Sequence, residues 1–385
     1  MNAGAPLEGV MVLDLTRVMA GPYATMMLSD LGARVIKVEP PDTGDDCRQF
    51  QPFLEGRSCN FMSVNRGKES IALDLKKPED RTIFETMLAR ADVLAENFRP
   101  GTMARLGYDL DQLRQKYPRL ICASTSGFGQ TGPLAGLPAY DLVIQAMSGL
   151  MSFTGPVGGG PCRVGLSIAD IAAAMFTATG IVAALYQREQ TGRGAHVDVA
   201  MLDSLLAMME GPIARYTLAG HTMQRSGVYH PILMPFEVFH AADGEIIIAA
   251  ANDRVFERLC AAIGRTDLAK DPRYASNALR VQNRPVLASE IDRAVGTDTV
   301  SVWMERLEAA GVPASPVNDI PQAVANPQLR ARQMLVDVED PRLGSLEMPG
   351  TPLKFVGFDN RLPERAAPDL DQDRDALLRE FGLRA

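Results

Sequence analysis

Asp170 lies in the segment Arg163–Leu185, RVGLSIADIAAAMFTATGIVAAL, where a carboxylate could act as a nucleophile. From Ile168 onward the segment is alanine-rich with apolar residues at helical spacing, so a buried helix is predicted to start near Ser167. Asp170 then falls in the first turn, where unpaired N–H groups and the helix dipole favour negative charge. A carboxylate kept ionised in apolar surroundings can attack an acyl carbon, a thioester carbonyl among them, and form a mixed anhydride. Ser167-Ile-Ala-Asp170 is also S-x-x-D, the pattern of an N-terminal capping box, and the segment by itself favours that quieter role.

The remaining residues narrow the chemistry. The four histidines (His196, His221, His230 and His240) lack metal-ligand spacing and H-E-x-x-H is absent, so no metal site is expected. Five cysteines, odd in number and without C-x-x-C spacing, read as reduced structural thiols of a cytoplasmic protein. A chain of 385 residues, 46% hydrophobic and 22% charged, fits a globular enzyme of two or three domain-sized units. Its net charge of −8 argues against nucleic acid or an anionic membrane as partner. The start, MNAGAPLEGV, has no basic region or apolar signal core, and no uninterrupted apolar run approaches about 18 residues. Neither export nor a membrane span is therefore expected.

Gly127-Phe-Gly-Gln-Thr-Gly132 is G-x-G-x-x-G and follows the apolar run ICASTS. A dinucleotide fingerprint needs a helix opening inside the glycines, to seat a pyrophosphate on its N-terminus. Here Gly132 runs into PLAGLP, which cannot make that helix. The loop reads instead as backbone brought close to a ligand.

Alternating strand and helix patterns must position these groups. MVLDLT (Met11–Thr16) and RVIKVE (Arg34–Glu39) are predicted strands around a helix from Gly21-Pro22 to about Leu31, a βαβ unit. Helix at Glu79–Ala91, strand at Asp92–Phe98, helix at Leu110–Tyr117 and strand at Leu120–Ser126 continue the alternation. Two long helices follow, one after Ser167 and one near Leu202–Gly220. The pattern then changes: FEVFHAADGEIIIAAA (Phe236–Ala251) reads as a hairpin turning at Asp243-Gly244. Helices at Asp253–Ile263, Arg284–Val295 and Val300–Ala310 follow, with a strand at Val312–Val317. A tail with Pro341, Pro349, Pro352, Pro363 and Pro368 reads as a long crossing segment, closed by an amphipathic helix over Asp371–Leu383. The expected architecture is α/β: a Rossmann-like large domain over 1–221, to which 326–385 returns, and a smaller α+β domain over 222–325.

In seven blocks, in order, the chain resembles the family III CoA-transferases, also called the CaiB/BaiF family. They are Leu7–Arg48, Asn65–Glu79 (NRGKESIALDLKKPE), Asp92–Gly107 (DVLAENFRPGTMARLG), Ser124–Pro133 (STSGFGQTGP), Ala139–Gly149 (AYDLVIQAMSG), the Asp170 helix, and Thr191–Ser204 (TGRGAHVDVAMLDS). The resemblance implies that Asp170 is the catalytic aspartate, attacking an acyl-CoA thioester to give an aspartyl mixed anhydride and then an aspartyl-CoA thioester. Because one thioester replaces another, neither ATP nor metal is needed, and coenzyme A is a co-substrate rather than a tightly bound cofactor. Val18, Met19, Leu73, Lys76, Asn97, Phe98, Arg99 and Arg105 match the family's CoA contacts. The small residues Ala169, Ala172, Ala173 and Ala174 would let substrate approach, and the glycines of GPVGGGP (Gly155–Pro161) could cover it.

The chain departs from some relatives. Pro40-Pro41 and Pro138 stand where those carry basic residues, and GVYHPILMPFEVF (Gly227–Phe239) replaces the glycine-rich loop of oxalate-specific members. That replacement argues against an oxalate or formate specialisation. The racemases of the same fold resemble one another in a His-Asp where this chain has Tyr140-Asp141, and tyrosine is a poor base at neutral pH. Transfer is thus favoured over α-methylacyl-CoA racemisation, and over a non-catalytic CoA-binding homologue. The opening block, the VYHPILMPFEVF segment and LRVQNRPVL (Leu279–Leu287) most resemble the branch using succinyl-CoA with short dicarboxylic acids. Arg17, Arg48, Tyr140, His230 and Arg163 are candidates to hold the acceptor, with Arg17 and His230 preferred for its free carboxylate. The resemblance also implies an interlocked homodimer with each active site shared between chains.

Overall fold

Six short strands, five of them mostly buried and the last a half-buried edge strand, build one parallel sheet: β1 (Met11–Asp14), β2 (Arg34–Glu39), β3 (Glu69–Ala72), β4 (Val93–Glu96), β5 (Ile121–Ser126) and β6 (His196–Ala200). Near-continuous apolar strands are what a parallel sheet covered on both faces requires. The computed structural model describes residues 4–356 and 365–383, which divide into two compact units. The first comprises Met1–Met151, Arg163–Thr222 and Pro327–Ala385; the second comprises Ser152–Cys162 and Met223–Asn326.

In the first unit the strand order is β3-β2-β1-β4-β5-β6. Residues alternate between its faces with period two. Leu13, Ile36, Ile71 and Leu94 point to a core shared with α2 (Pro78–Leu88) and α3 (Leu110–Lys116). Val12, Val35 and Val93 point to the other, against α1 (Ala20–Asp30) and α5 (Ile168–Thr191), with α4 (Asp141–Met147) lying between β5 and α5 in the chain. The chain therefore leaves β1 over one face and β4 over the opposite face. The strand order reverses between these neighbours, and the carboxyl ends of such a pair open a crevice where ligands bind.

α5, with 24 residues, is long and apolar enough by length and composition to cross a membrane. Its Ala174, Ala178, Ile181 and Leu185 are packed in the core of the first unit. Gly180 makes that packing possible, since a Cβ there would sit 2.6 Å from a methyl of Val197 on β6.

Apart from the helix expected near Leu202–Gly220, the sequence-predicted strands and helices of this unit are present, with ends shifted by no more than three residues. β3, β6 and an antiparallel hairpin of Leu335–Asp340 with Gly344–Pro349 were not predicted. The hairpin occupies part of the proline-rich tail: Pro341 sits in its turn and Pro349 ends its second strand, while Pro363 lies outside the described residues. The single helix expected near Leu202–Gly220 is two, Met201–Met208 and Glu210–Ala219. Pro212 explains the break, because its ring would clash with the carbonyl of residue 208 in a continuous helix.

The second unit is an antiparallel three-stranded sheet of Phe236–His240, Glu245–Ala249 and Ala314–Pro316. Helices Asp253–Ala262, Arg284–Val295 and Val300–Ala309 cover it around Phe239, Ile246, Ile248, Leu259, Leu287 and Trp303.

Candidate active site

Two loops flank the crevice, and a single side chain ties them together. Leaving β1, Arg17 donates its N–H to Asn97 Oδ1 at 2.8 Å, and Asn97 Nδ2 donates to the Arg17 carbonyl at 2.8 Å. Asn97 itself opens the turn after β4. Glu96 holds that turn from beneath, its Oε2 accepting the Phe98 N–H at 2.8 Å. Burial pushes the Glu96 carboxyl up to about 7, against the pull of the nearby Ser124 hydroxyl, whose oxygen sits 3.0 Å from His196 Nε2.

The crevice holds a cavity of about 380 Å³ lined by Arg17, Val18, Met19, Asn97, Phe98, Arg99, Tyr140 and Asp170, among others. A second cavity of about 320 Å³ shares Arg17 and Phe98 with it and is lined by Pro40, Pro41 and Leu73 through Lys76. Eight sequence-predicted residues thus meet in the first cavity, and Leu73 and Lys76 stand in the second.

Other candidates are placed elsewhere. Arg105 is exposed, donates to Thr102 Oγ1 at 2.7 Å, and lines neither cavity. Arg48 makes a two-pronged pair with Glu39 at 2.7 Å through each prong, lies 3.7 Å over the Phe61 ring, and lines neither cavity. Arg163 is exposed. His230 belongs to the second unit, its ring 5.3 Å from that of Phe236. Arg17 is paired with Asp46, whereas the Arg99 guanidinium has no acidic partner among the described residues. Tyr140 is 76% exposed, so within its chain it is no packed aromatic.

Asp170 sits in the first turn of α5, as predicted, but not as part of a cap. Ser167 makes no side-chain capping bond. The cap comes from Asp141, 28 residues before Ala169, whose Oδ1 accepts the Ala169 N–H at 2.8 Å. Gln145 braces it by donating to Asp141 Oδ2 at 2.7 Å and accepting the Val164 N–H at 2.8 Å. Asp170 is left with no hydrogen-bond partner among the described residues, facing the cavity. Its carboxyl is pushed up to about 7, first by burial and then by the charge of Asp141. Burial thus lifts it out of the ordinary carboxylate range, although its place in the first turn of α5 favours negative charge. Ala169 and Ala173 pack against Ala20, Ile144, Met201 and Leu205, so these small residues seat α5 against α1.

Sequence reasoning missed Asp141, Glu96 and Asp46. Asp141 follows the tyrosine of the AYD block, but its partner on α5 is distant in the chain and no local pattern marks it. Thr125, Ser126 and Gly127 also line the cavity, from the block read only as a glycine loop.

Residues 7–374 match the family model described as CoA-transferase family III. Over 377 residues the chain is 46% identical to an acetyl-CoA:oxalate CoA-transferase of Acetobacter aceti, covering 98% of this chain and 96% of that one. It is 41% identical over 387 residues to a succinyl-CoA:mesaconate CoA-transferase of Haloarcula hispanica, covering 98% and 96%. Among solved structures, a CaiB/BaiF family protein of Brucella suis superposes with a TM-score of 0.90 at 35% identity, covering 98% of this chain and all of that one.

Proposed function

The chain belongs to CoA-transferase family III, and from that premise we propose that it moves CoA from an acyl-CoA, succinyl-CoA foremost, to a short dicarboxylic acid through Asp170. The observation that carries this reading is the release of Asp170 from structural duty. Asp141 takes over the cap, and the Asp170 carboxylate stands unbonded in a cavity with Arg17, Arg99 and Tyr140.

In its ionised form Asp170 attacks the thioester carbonyl, giving an aspartyl–acyl anhydride and CoA thiolate. The thiolate attacks the aspartyl carbon of the anhydride, releasing the first acid and leaving an aspartyl-CoA thioester. The acceptor carboxylate then repeats the exchange in reverse and leaves as the new acyl-CoA, restoring Asp170. No proton or electron is consumed overall. The two cavities joined at Arg17 and Phe98 suit one elongated ligand, with its nucleotide end near Leu73 and Lys76 and its thioester near Asp170. Arg99, which lines the first cavity with no acidic partner among the described residues, is our choice for a phosphate or the acceptor's free carboxylate.

The acceptor class is set broadly. The segment Gly227–Phe239 argued against oxalate, but a relative 46% identical is named for oxalate and another for mesaconate, so C2 to C6 diacids are all candidates. We further propose that the chain works as an interlocked homodimer. Exposed Met175, Phe176, Val182 and Tyr186 on α5, with Leu206, Met208, Tyr216 and Leu218 beyond it, support this, since so much apolar surface on one run of helices marks an interface.

The deciding experiment incubates the protein with succinyl-CoA or acetyl-CoA and oxalate, mesaconate or glutarate, beside Asp170→Asn, and follows acyl-CoA species by mass spectrometry. New CoA monothioesters of the added diacid, absent in the variant, are expected. No new thioester with any acid, while CoA still binds, would sink the transfer reading. Deuterium uptake at an acyl α-carbon instead would identify racemisation.

A further inference from the structure

Val18 is a β-branched residue in the left-handed region, with φ at +68°. Such a residue avoids this conformation unless its surroundings dictate it. The dictating groups are on three different segments. Asp45 Oδ1 accepts the Val18 N–H at 2.9 Å. Lys37 Nζ, from β2, donates to the Thr16 carbonyl at 2.7 Å and lies 3.0 Å from Asp45 Oδ2, both side chains being fully buried. Asn97 brackets Arg17 from the far side of the crevice. Gly21 closes the turn, since a Cβ there would meet the Thr16 Cβ at 2.3 Å.

Asp45 Oδ1 also accepts the Cys47 N–H at 2.9 Å and so caps the turn Asp46–Gln49, but that cap needs neither a buried ammonium beside it nor a strained valine. A glycine at position 18 would take the same turn unaided. Instead the chain places an ammonium and a carboxylate together out of water to hold two peptide groups of a loop. That loop lies at the reversal of strand order, and its next residues, Met19 and Ala20, line the cavity that Asp170 faces. Ala20 also packs against Ala169 and Ala173, one turn of α5 around Asp170.

We propose that the buried pair Asp45–Lys37 is a positioning device for this site, holding the Thr16–Val18 backbone in its left-handed turn so that Met19 and Ala20 keep their place opposite Asp170. Neither residue touches the cavity, and both act through Val18. The inference rests on reading the cavity as an acyl-CoA site.

A double-substitution cycle tests it on the full-length chain. Asp45→Asn keeps the shape and one acceptor oxygen but removes the charge that anchors Lys37. Val18→Gly removes the Cβ that opposes a positive φ. We expect Asp45→Asn to raise the acyl-CoA KM about tenfold with a smaller change in kcat, the scale of releasing one strained residue. In the V18G background the same change should raise KM less than about twofold, because glycine holds the turn by itself. A purely structural role would lower Tm equally in both backgrounds and leave KM additive. Equal KM increases in the two backgrounds, or no increase in a folded Asp45→Asn protein, would overturn the proposal. Should Asp45→Asn fail to fold, the pair Lys37→Met with Asp45→Asn, which leaves no unpaired buried charge, enters the same cycle under the same criteria. Calorimetric CoA binding is measured alongside. Loss of acyl exchange in the unaltered protein would count against the transfer reading alone, and the cycle would then be judged on the CoA Kd.

Discussion

Asp141 caps the helix whose first turn carries Asp170: its Oδ1 accepts the Ala169 N–H at 2.8 Å, and its charge adds to the burial that raises the Asp170 carboxyl. One aspartate thereby frees the other from capping and also weakens its tendency to ionise. A less stable carboxylate is a more reactive one when the thioester arrives, because the attacking form is the anion.

The pH dependence of the first half-reaction follows. With the Asp170 carboxyl at about 7, the ligand-free protein is largely protonated there in mild acid. We expect kcat/KM for the acyl-CoA to fall about tenfold per pH unit below about 7. Asp141→Asn removes one of the two causes and should move this acid limb to lower pH. A pH–rate profile of acyl exchange checks both, and a flat profile through mild acid would refute the assignment of Asp170 as the titrating nucleophile.

Stability should respond in the opposite sense. The folded-state carboxyl of Asp170 lies above the unfolded value of about 3.9, so its ionisation costs native stability once pH exceeds the unfolded value, and fully so above about 7. Asp170→Asn should therefore be inactive yet more stable, by about 1–3 kcal/mol near pH 8 after discounting for partial exposure. The advantage should fade towards about pH 4, where the native carboxyl is neutral. Urea titrations at the two pH values decide it, and equal stability of the two proteins at both would contradict the raised carboxyl.

Arg99 and Arg17 look alike in the sequence but not in the fold. Arg17 is already paired with Asp46, whereas Arg99 lines the cavity without an acidic partner among the described residues. Removing a charge-assisted contact to an anionic ligand costs about 1.5–3 kcal/mol, so Arg99→Met should raise the acyl-CoA or acceptor KM about 10- to 100-fold. Arg105→Met, outside both cavities, should have a smaller effect. Steady-state kinetics with both substrates varied will distinguish these, and a larger effect at Arg105 would reverse the placement.

What was legible in the sequence was what depends on local pattern. The apolar strands RVIKVE and ICASTS, the Gly21-Pro22 helix start and the alanine-rich helix at Ser167 all declare themselves within a few residues. The ordered family blocks brought Arg17, Asn97, Phe98 and Asp170 into consideration, and the fold places them around one cavity. β3 escaped because ESIA is four residues long and takes its strand identity from pairing with β2. β6 likewise owes its place to β5, since HVDVA carries an exposed Asp198 and only Ala200 of it is buried. Ser167 and Asp170 looked like a capping box because the pattern is local, while the cap actually used comes from α4. Arg48 looked like a ligand cation for a similar reason: no neighbouring residue in the chain announces Glu39 as its partner.

The buried charges behind the β1 turn make a final, separate expectation. Lys68 Nζ donates to Asp14 Oδ2 at 2.9 Å, to the Pro22 carbonyl at 2.9 Å and to Asn65 Oδ1 at 2.8 Å, and both charged side chains are fully buried. Burial pulls the Lys68 ammonium down to about 8, against the pull of Asp14; for Asp14 itself, Lys68 and Lys37 outweigh burial and hold the carboxyl below its ordinary range. Lys68→Met removes the ammonium and leaves Asp14 with Thr16, Thr25 and the more distant charge of Lys37. The expected loss is about 3–5 kcal/mol, that of stranding one member of a buried pair rather than the net worth of the pair. Converting Asp14 to Asn in the same protein removes the stranded charge and should recover part of that loss. Denaturant unfolding of the two variants measures it. A loss below about 1 kcal/mol for Lys68→Met, or a larger loss for the double variant, would mean that Lys37 alone suffices to hold Asp14 ionised.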